Sequence, residues 1–113
     1  MIEKIVLDYL SETLEYPVYM EEPETKPERY YLIEKTGGGA RNHIYTATMA
    51  IQSYAERMVY AAQMNELLKA AMEDIIRLDD IGSCRLNSDY NYTDTTTKRY
   101  RYQAVFDVVH YLI

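Results

Sequence analysis

Apolar positions recur along this chain with two different periods, and the changes of period divide it into elements. Ile2, Ile5, Val6, Tyr9 and Leu10 fall at helical spacing, with Glu3, Lys4, Asp8 and Glu12 on the other side. That pattern predicts an amphipathic helix over most of residues 2–14. Pro17 is expected to end it, because the residue before a proline is pushed out of the α region. Residues 18–20 read as a short strand, and 21–28 as an acidic loop carrying Pro23 and Pro27. Over 29–36 the period falls to two: Tyr30, Leu32 and Glu34 on one face, Tyr31, Ile33 and Lys35 on the other. A second such run, 44–53, places Tyr45, Ala47, Met49 and Ile51 on the greasier face and Thr46, Thr48 and Gln52 opposite. Between the two runs, Gly37-Gly38-Gly39 and then Ala40-Arg41-Asn42 predict the glycine-rich turn of an antiparallel hairpin.

Ser53-Tyr54-Ala55-Glu56 has the form of a capping box and is expected to open the main helix, about 54–77. Tyr60, Ala61, Met64, Leu67, Leu68, Ala71, Ile75 and Leu78 form its apolar stripe. Gln63, Glu66, Lys69, Glu73 and Arg77 face water, with Glu73 and Arg77 spaced to pair. Asp79-Asp80-Ile81-Gly82 breaks the helix, and 83–86 starts a strand. Residues 88–98 are rich in Asp, Asn and Thr and read as a long polar loop. Residues 99–111 form one long final strand with two chemistries: Tyr100, Tyr102, Ala104, Phe106 and Val108 on one face, Arg101, Gln103, Val105, Asp107 and Val109 on the other. The order α-β-β-β-α-β-β predicts an α+β fold, a two-layer sandwich with two helices packed on one mostly antiparallel sheet. With 113 residues, the chain makes one domain, 1–113.

Composition adds one anomaly: thirteen tyrosines against one Phe and no Trp. Tyr has an apolar body and a polar tip, which suits surfaces buried in one state and wet in another; it also fills strands through propensity alone. The net charge of −6 argues against a protein that grips phosphate. The one basic cluster, Lys98, Arg99 and Arg101, has Asp89 and Asp94 for neighbours and reads as a solvated strand end. Such a chain can still line a passage through which DNA moves without adhering. Cys84 is alone, so it forms no intramolecular disulfide and reads as a small buried hydrophobe. No apolar run reaches the ~20 residues that span a bilayer, and the N-terminus lacks a signal-peptide pattern, so no membrane partner is expected.

The chemistry-bearing residues assemble into no recognisable catalytic set. Gly37-Gly38-Gly39 lacks the Lys and Ser/Thr that follow the glycines of a phosphate loop. His43 and His110 lie on different strands with no Cys or carboxylate at ligand spacing. Glu21-Glu22 and Asp79-Asp80 are adjacent pairs in loops, which do not converge on one point. No catalytic residue, cofactor or metal ligand is assigned. The candidate site is a contact surface instead: Gly37, Gly38, Gly39 and Arg41 in the first polar segment, and Asp89, Tyr90, Tyr92, Asp94, Lys98, Arg99 and Arg101 in and around the second.

Taken in order, the pieces resemble a known family. The N-terminal helix, then Pro17-Val18-Tyr19-Met20-Glu21, then Pro27-Glu28-Arg29-Tyr30-Tyr31-Leu32-Ile33-Glu34-Lys35-Thr36-Gly37-Gly38 are similar to the opening of tail-terminator and tail-completion proteins of long-tailed bacteriophages. Ala47-Thr48-Met49-Ala50-Ile51-Gln52-Ser53-Tyr54-Ala55 before the main helix, Asp94-Thr95, and Arg99-Tyr100-Arg101-Tyr102-Gln103-Ala104-Val105-Phe106 look like its later parts. The resemblance spans nearly the whole chain and rests on order and spacing. It implies a structural virion protein, made in the host cytoplasm and resident in the tail, that assembles as a six-membered ring. Such a ring caps the tail-tube protein, ends polymerisation, and offers its other face to the head-tail connector, with DNA only passing through the lumen. Two alternatives stand beside it: a head-completion or tail-tube subunit, and a small enzymatic or ligand-binding domain. A deep apolar pocket with a convergent polar group marks the last of these.

Overall fold

Two strands far apart in sequence hold the middle of the molecule. In the computed structural model, which describes residues 1–94, 96 and 99–111, α1 (Ile2–Thr13) leads through β1 (Val18–Tyr19) into the long hairpin of β2 (Tyr30–Arg41) and β3 (Ile44–Ala55). Helix α2 (Met58–Glu73) follows, closed by a 3-10 turn (Asp74–Arg77), and then β4 (Ile81–Asn91) and β5 (Tyr100–His110). The class is α+β: two helices and one five-stranded mixed sheet in the spatial order β1-β2-β3-β5-β4. The β1–β2 contact is parallel and all the others are antiparallel.

The alternation read from the sequence decides which face is covered. Tyr31 and Ile33 of β2, Ala47, Met49 and Ile51 of β3, and Ala104, Phe106 and Val108 of β5 join one buried cluster with Ile2, Val6, Tyr9 and Leu10 of α1 and Ala61, Met64, Leu68 and Met72 of α2. Burying the Val, Leu, Ile, Met and Phe side chains of this cluster yields about 1.5–3 kcal/mol each. Two tyrosines satisfy their hydroxyls inside this cluster by bridging elements. Tyr9 donates to the Ala71 carbonyl at 2.6 Å, and Tyr31 to the Met64 carbonyl at 3.2 Å. Of the stripe expected on α2, Leu67 instead points outward and is 55% exposed. Asn65 and Met72 take buried positions that the pattern had not assigned. Arg77 falls on the 3-10 turn and sets its guanidinium over the Tyr9 ring rather than beside Glu73.

Four local expectations differ from the structure, the first three because the sheet overrides a local signal. Residues 37–41 belong to β2, and the hairpin turns at Asn42 and His43, whose φ values are 53° and 65°, while no glycine has a positive φ. A two-residue turn with both φ positive matches the right-handed twist of the strands, and Asn tolerates that conformation better than most residues. The glycines instead allow close approach. A Cβ on Gly38 would lie 2.9 Å from Lys35 Cε and 3.1 Å from the Thr46 carbonyl oxygen. Second, the capping box does not form. Ser53 pairs with Tyr31 and Tyr102 in the ladder, β3 continues to Ala55, and α2 begins only at Met58. Third, the polar loop is shorter than 88–98, because β4 pairs with β5 as far as Asn91↔Tyr102. An edge strand needs little apolar surface when its partner supplies the hydrogen bonds. Thr95, Thr97 and Lys98 lie outside the described residues. Fourth, α1 stops at Thr13, before Pro17 has any influence. Leu14 is already extended, and the Thr13 hydroxyl donates back to the Tyr9 carbonyl at 2.8 Å.

The turn assignment has a direct test. His43→Val places a β-branched residue at positive φ and is expected to cost about 1–2 kcal/mol. His43→Gly is expected to be neutral or stabilising. Urea titration of both variants checks the pair, and equal behaviour would contradict the assignment.

Candidate functional site: the open face of the sheet

The face of the sheet turned away from the helices carries its own organised chemistry. Strand register builds it in rows. Leu32 pairs with Gln52, Gln52 with Gln103, and Gln103 with Tyr90, so one row crosses β2, β3, β5 and β4. The next row runs Tyr30, Tyr54, Arg101, with Tyr92 alongside through its amide bond to the Arg101 carbonyl.

Hydrogen bonds lock the two rows together. The Tyr54 hydroxyl donates to Gln52 Oε1 at 2.9 Å, Gln52 Nε2 donates to Gln103 Oε1 at 2.8 Å, and Gln103 Nε2 donates to the Tyr90 hydroxyl at 2.5 Å. Arg101 donates to the Tyr54 hydroxyl at 2.8 Å and, through Nε, to the Tyr92 carbonyl at 2.6 Å. Its guanidinium lies 4.3 Å from the Tyr92 ring centroid. Tyr30 and Tyr54 stack with centroids 4.6 Å apart and ring planes 8° from parallel, and Tyr19 meets Tyr30 edge-on. Arg99 reaches over the Tyr30 ring and donates to the carbonyls of Pro27 and Glu28, which ties the acidic loop to this face. The Tyr30 hydroxyl donates to Glu22 of that loop. Beside the lattice lies an open groove of about 410 Å³, bordered by Glu22, Glu34, Gln52, Tyr92 and Arg101.

The surroundings of the two stacked tyrosines hold them neutral. Burial, ahead of the nearby Glu22 charge, raises the Tyr30 hydroxyl above the usual phenol range. Burial also raises Tyr54, partly offset by the bond from Arg101. These hydroxyls therefore stay neutral donors at physiological pH and are not activated nucleophiles. At the corner of the sheet, Arg29 sits between the rings of Tyr16 and Tyr60 and donates to Glu56 at 2.6 Å. That bond holds the Glu56 carboxyl below its usual range. The Cys84 thiol is pushed up to about 11 by burial, so it is protonated and unreactive at neutral pH. Among the described residues, no group of three or more His, Cys, Asp and Glu is placed to hold a metal ion, and no helix is long and apolar enough to cross a membrane.

The residues singled out from sequence divide into separate places. Tyr90, Tyr92 and Arg101 come together on the lattice, and Asp94 pairs with Arg99 in an isolated bridge beside it. Asp89 lies on the other face, where Lys69 donates to it at 3.0 Å and Asn65 at 3.4 Å, clamping α2 to β4. Gly37, Gly38, Gly39 and Arg41 lie at the opposite end of the sheet, on the exposed distal half of the hairpin. Lys98 lies outside the described residues. The position of Arg101 beside a polar loop had suggested a freely solvated charge; its side-chain contacts with the Tyr54 hydroxyl and with the Tyr92 carbonyl and ring make it part of the sheet instead. Gln52, Gln103, Tyr30, Tyr54 and Glu22 complete the site and were not singled out. The signal for the two glutamines was their place on the polar side of each strand, but only register shows that they face one another. No protein-family model matches the chain, and no curated protein matches it.

Two outcomes test the lattice. Gln103→Leu leaves the buried Gln52 amide unpaired and is expected to destabilise by about 1–3 kcal/mol. Adding Gln52→Leu is expected to cost less than the sum of the single changes. A strictly additive double-mutant cycle would contradict the coupling. Raising the pH is the second test. The unfolded chain ionises its tyrosines near pH ~10, while Tyr30, Tyr31 and Tyr54 are held higher in the fold, so stability falls as pH rises above that value. Ultraviolet absorbance is expected to show these tyrosines ionising only together with loss of far-ultraviolet circular dichroism.

Proposed function

We infer that this chain is a structural protein of a bacteriophage tail, not an enzyme, and that it caps the tail tube as a ring. In this reading the helices form one layer and the sheet the other, a two-layer sandwich whose uncovered layer meets neighbouring proteins. The observation that carries it is the chemistry of that open face. Tyrosine and arginine, the residue types most enriched where protein surfaces meet, are pre-ordered there by bonds to one another. Tyr90 and Tyr92 are still 41% and 43% exposed and available for contact. A rigid lattice loses little side-chain entropy when a partner covers it.

The resemblance in sequence order supplies the particle. Copies of the chain close into a six-membered ring, one side of the ring stops the tail-tube protein from polymerising, and the other receives the head-tail connector. DNA passes through the lumen, and the net charge of −6 keeps it from adhering. The protein is made in the host cytoplasm and resides in the virion tail, with neither cofactor nor membrane involved.

The test is genetic. Tube subunits join by heterologous contacts that do not close unless something caps them. Lysates lacking this protein are expected to contain intact heads and over-long tails that fail to join them. Normal-length tails beside heads that leak DNA would assign the protein to head completion instead. Wholly normal particles would remove it from assembly.

A further inference from the structure

Both long edges of the sheet are open where they lie at the same height. β1 pairs with β2 at Tyr31 and Leu32, and among the described residues no strand lies beside the edge from Ile33 to Arg41. β4 ends the sheet on the other side, with β5 as its one partner strand among the described residues. Each edge carries a regular run bounded by irregularities: 37–41 beyond the register shift after Lys35, and 83–86 between the shifts that follow Ile81 and Leu86. Natural edge strands are usually blunted by charge, proline or a bulge. Residues 36–40 carry none of the charged or proline gatekeepers, and three of them are glycines in extended conformation. An edge so built leaves its unpaired N–H and C=O groups open to another strand.

Register carried across the sheet gives the height match. Gly37 pairs with Thr48, Thr48 with Asp107, and Asp107 with Arg85; the same steps link Gly38 to Cys84, Gly39 to Ser83 and Ala40 to Ile81. Arg41 pairs with Ile44, one residue past the Tyr45–His110 pair that ends the β3–β5 ladder, and Tyr111, one residue past it on β5, donates its amide to the Asp80 carbonyl. In a ring with strands along its axis, symmetry puts every copy at one height. The 37–41 edge of one copy then meets the 81–85 edge of the next in antiparallel sense. The long side chain of Arg85 passes where Gly37 has none, and exposed Arg41 comes beside Asp79 and Asp80.

We propose that the second copy of this chain docks edge to edge, β2 against β4, so that the sheet continues from copy to copy with an Arg41–Asp79/Asp80 contact at its end. This rests on the ring reading above and specifies the surface that builds the ring. It separates the subunit–subunit contact from the tyrosine lattice, which is left free for the tube or the connector.

The test uses the full-length chain, alone and with purified tail tubes, followed by sedimentation velocity. Arg41→Glu, and separately Asp79→Lys with Asp80→Lys, are expected to weaken self-association about tenfold at each interface. All three changes together are expected to restore it. In a Cys84→Ala background, Arg41→Cys with Asp80→Cys is expected to give covalent multimers under a mild oxidant. Thermal melts check that each variant folds. Rings that assemble on tubes with no response to charge reversal and no cross-linking would overturn edge pairing and leave the ring reading in place. A chain that stays monomeric even on tubes would overturn both.

Discussion

The pairing of β3 with β5 is the constraint on which the rest of the molecule depends. It runs from Tyr45↔His110 to Ala55↔Tyr100 without a register shift. It joins an N-terminal hairpin to a C-terminal one across the whole of α2. Closing so long a loop costs entropy that only many simultaneous contacts offset. The ladder supplies them on both faces at once. Met49 against Phe106 and Ile51 against Ala104 fill the buried side, and Gln52 against Gln103 with Tyr54 against Arg101 organise the open side. A slip of one residue would turn both sets inside out. The buried apolar face and the amide lattice thus enforce one register.

That constraint also explains which parts of the molecule were legible in the sequence. Helix α1 and the apolar face of β3 followed from period alone, and so did the alternation along β2 and β5, although it did not say which of their faces turns inward. The capping box at Ser53 failed because a local motif competed with two neighbouring strands, and the ladder won. Ser53 is fully buried in β3, its hydroxyl without a hydrogen-bond partner. The hairpin turn was misplaced because three glycines are the louder turn signal, whereas Asn42 and His43 adopt the positive φ angles. Residues 88–91 were read as loop for their polarity, yet an edge strand tolerates it.

The candidate site was half visible for the same reason. Tyr90, Tyr92 and Arg101 stood out as unusual residues near one another in sequence. Gln52 and Gln103 meet only through a register that no local pattern specifies, and Asp89 proved to bind α2 through Lys69 and Asn65. The excess of tyrosine has two answers in the fold. Tyr9 and Tyr31 use their hydroxyls to cap carbonyls of α2 inside the core, while Tyr30, Tyr54, Tyr90 and Tyr92 build the open lattice. One residue type serves both faces of the sheet because its ring buries well and its hydroxyl must find a partner.

On the proposed reading, this lattice-bearing subunit sits at one end of a tail tube. Electron microscopy of purified tails carrying a gold-labelled copy of the protein tests it most directly. The account predicts a single ring of label at the head-proximal end of each tail and none along the tube. Label distributed along the tube, or confined to heads, would contradict it.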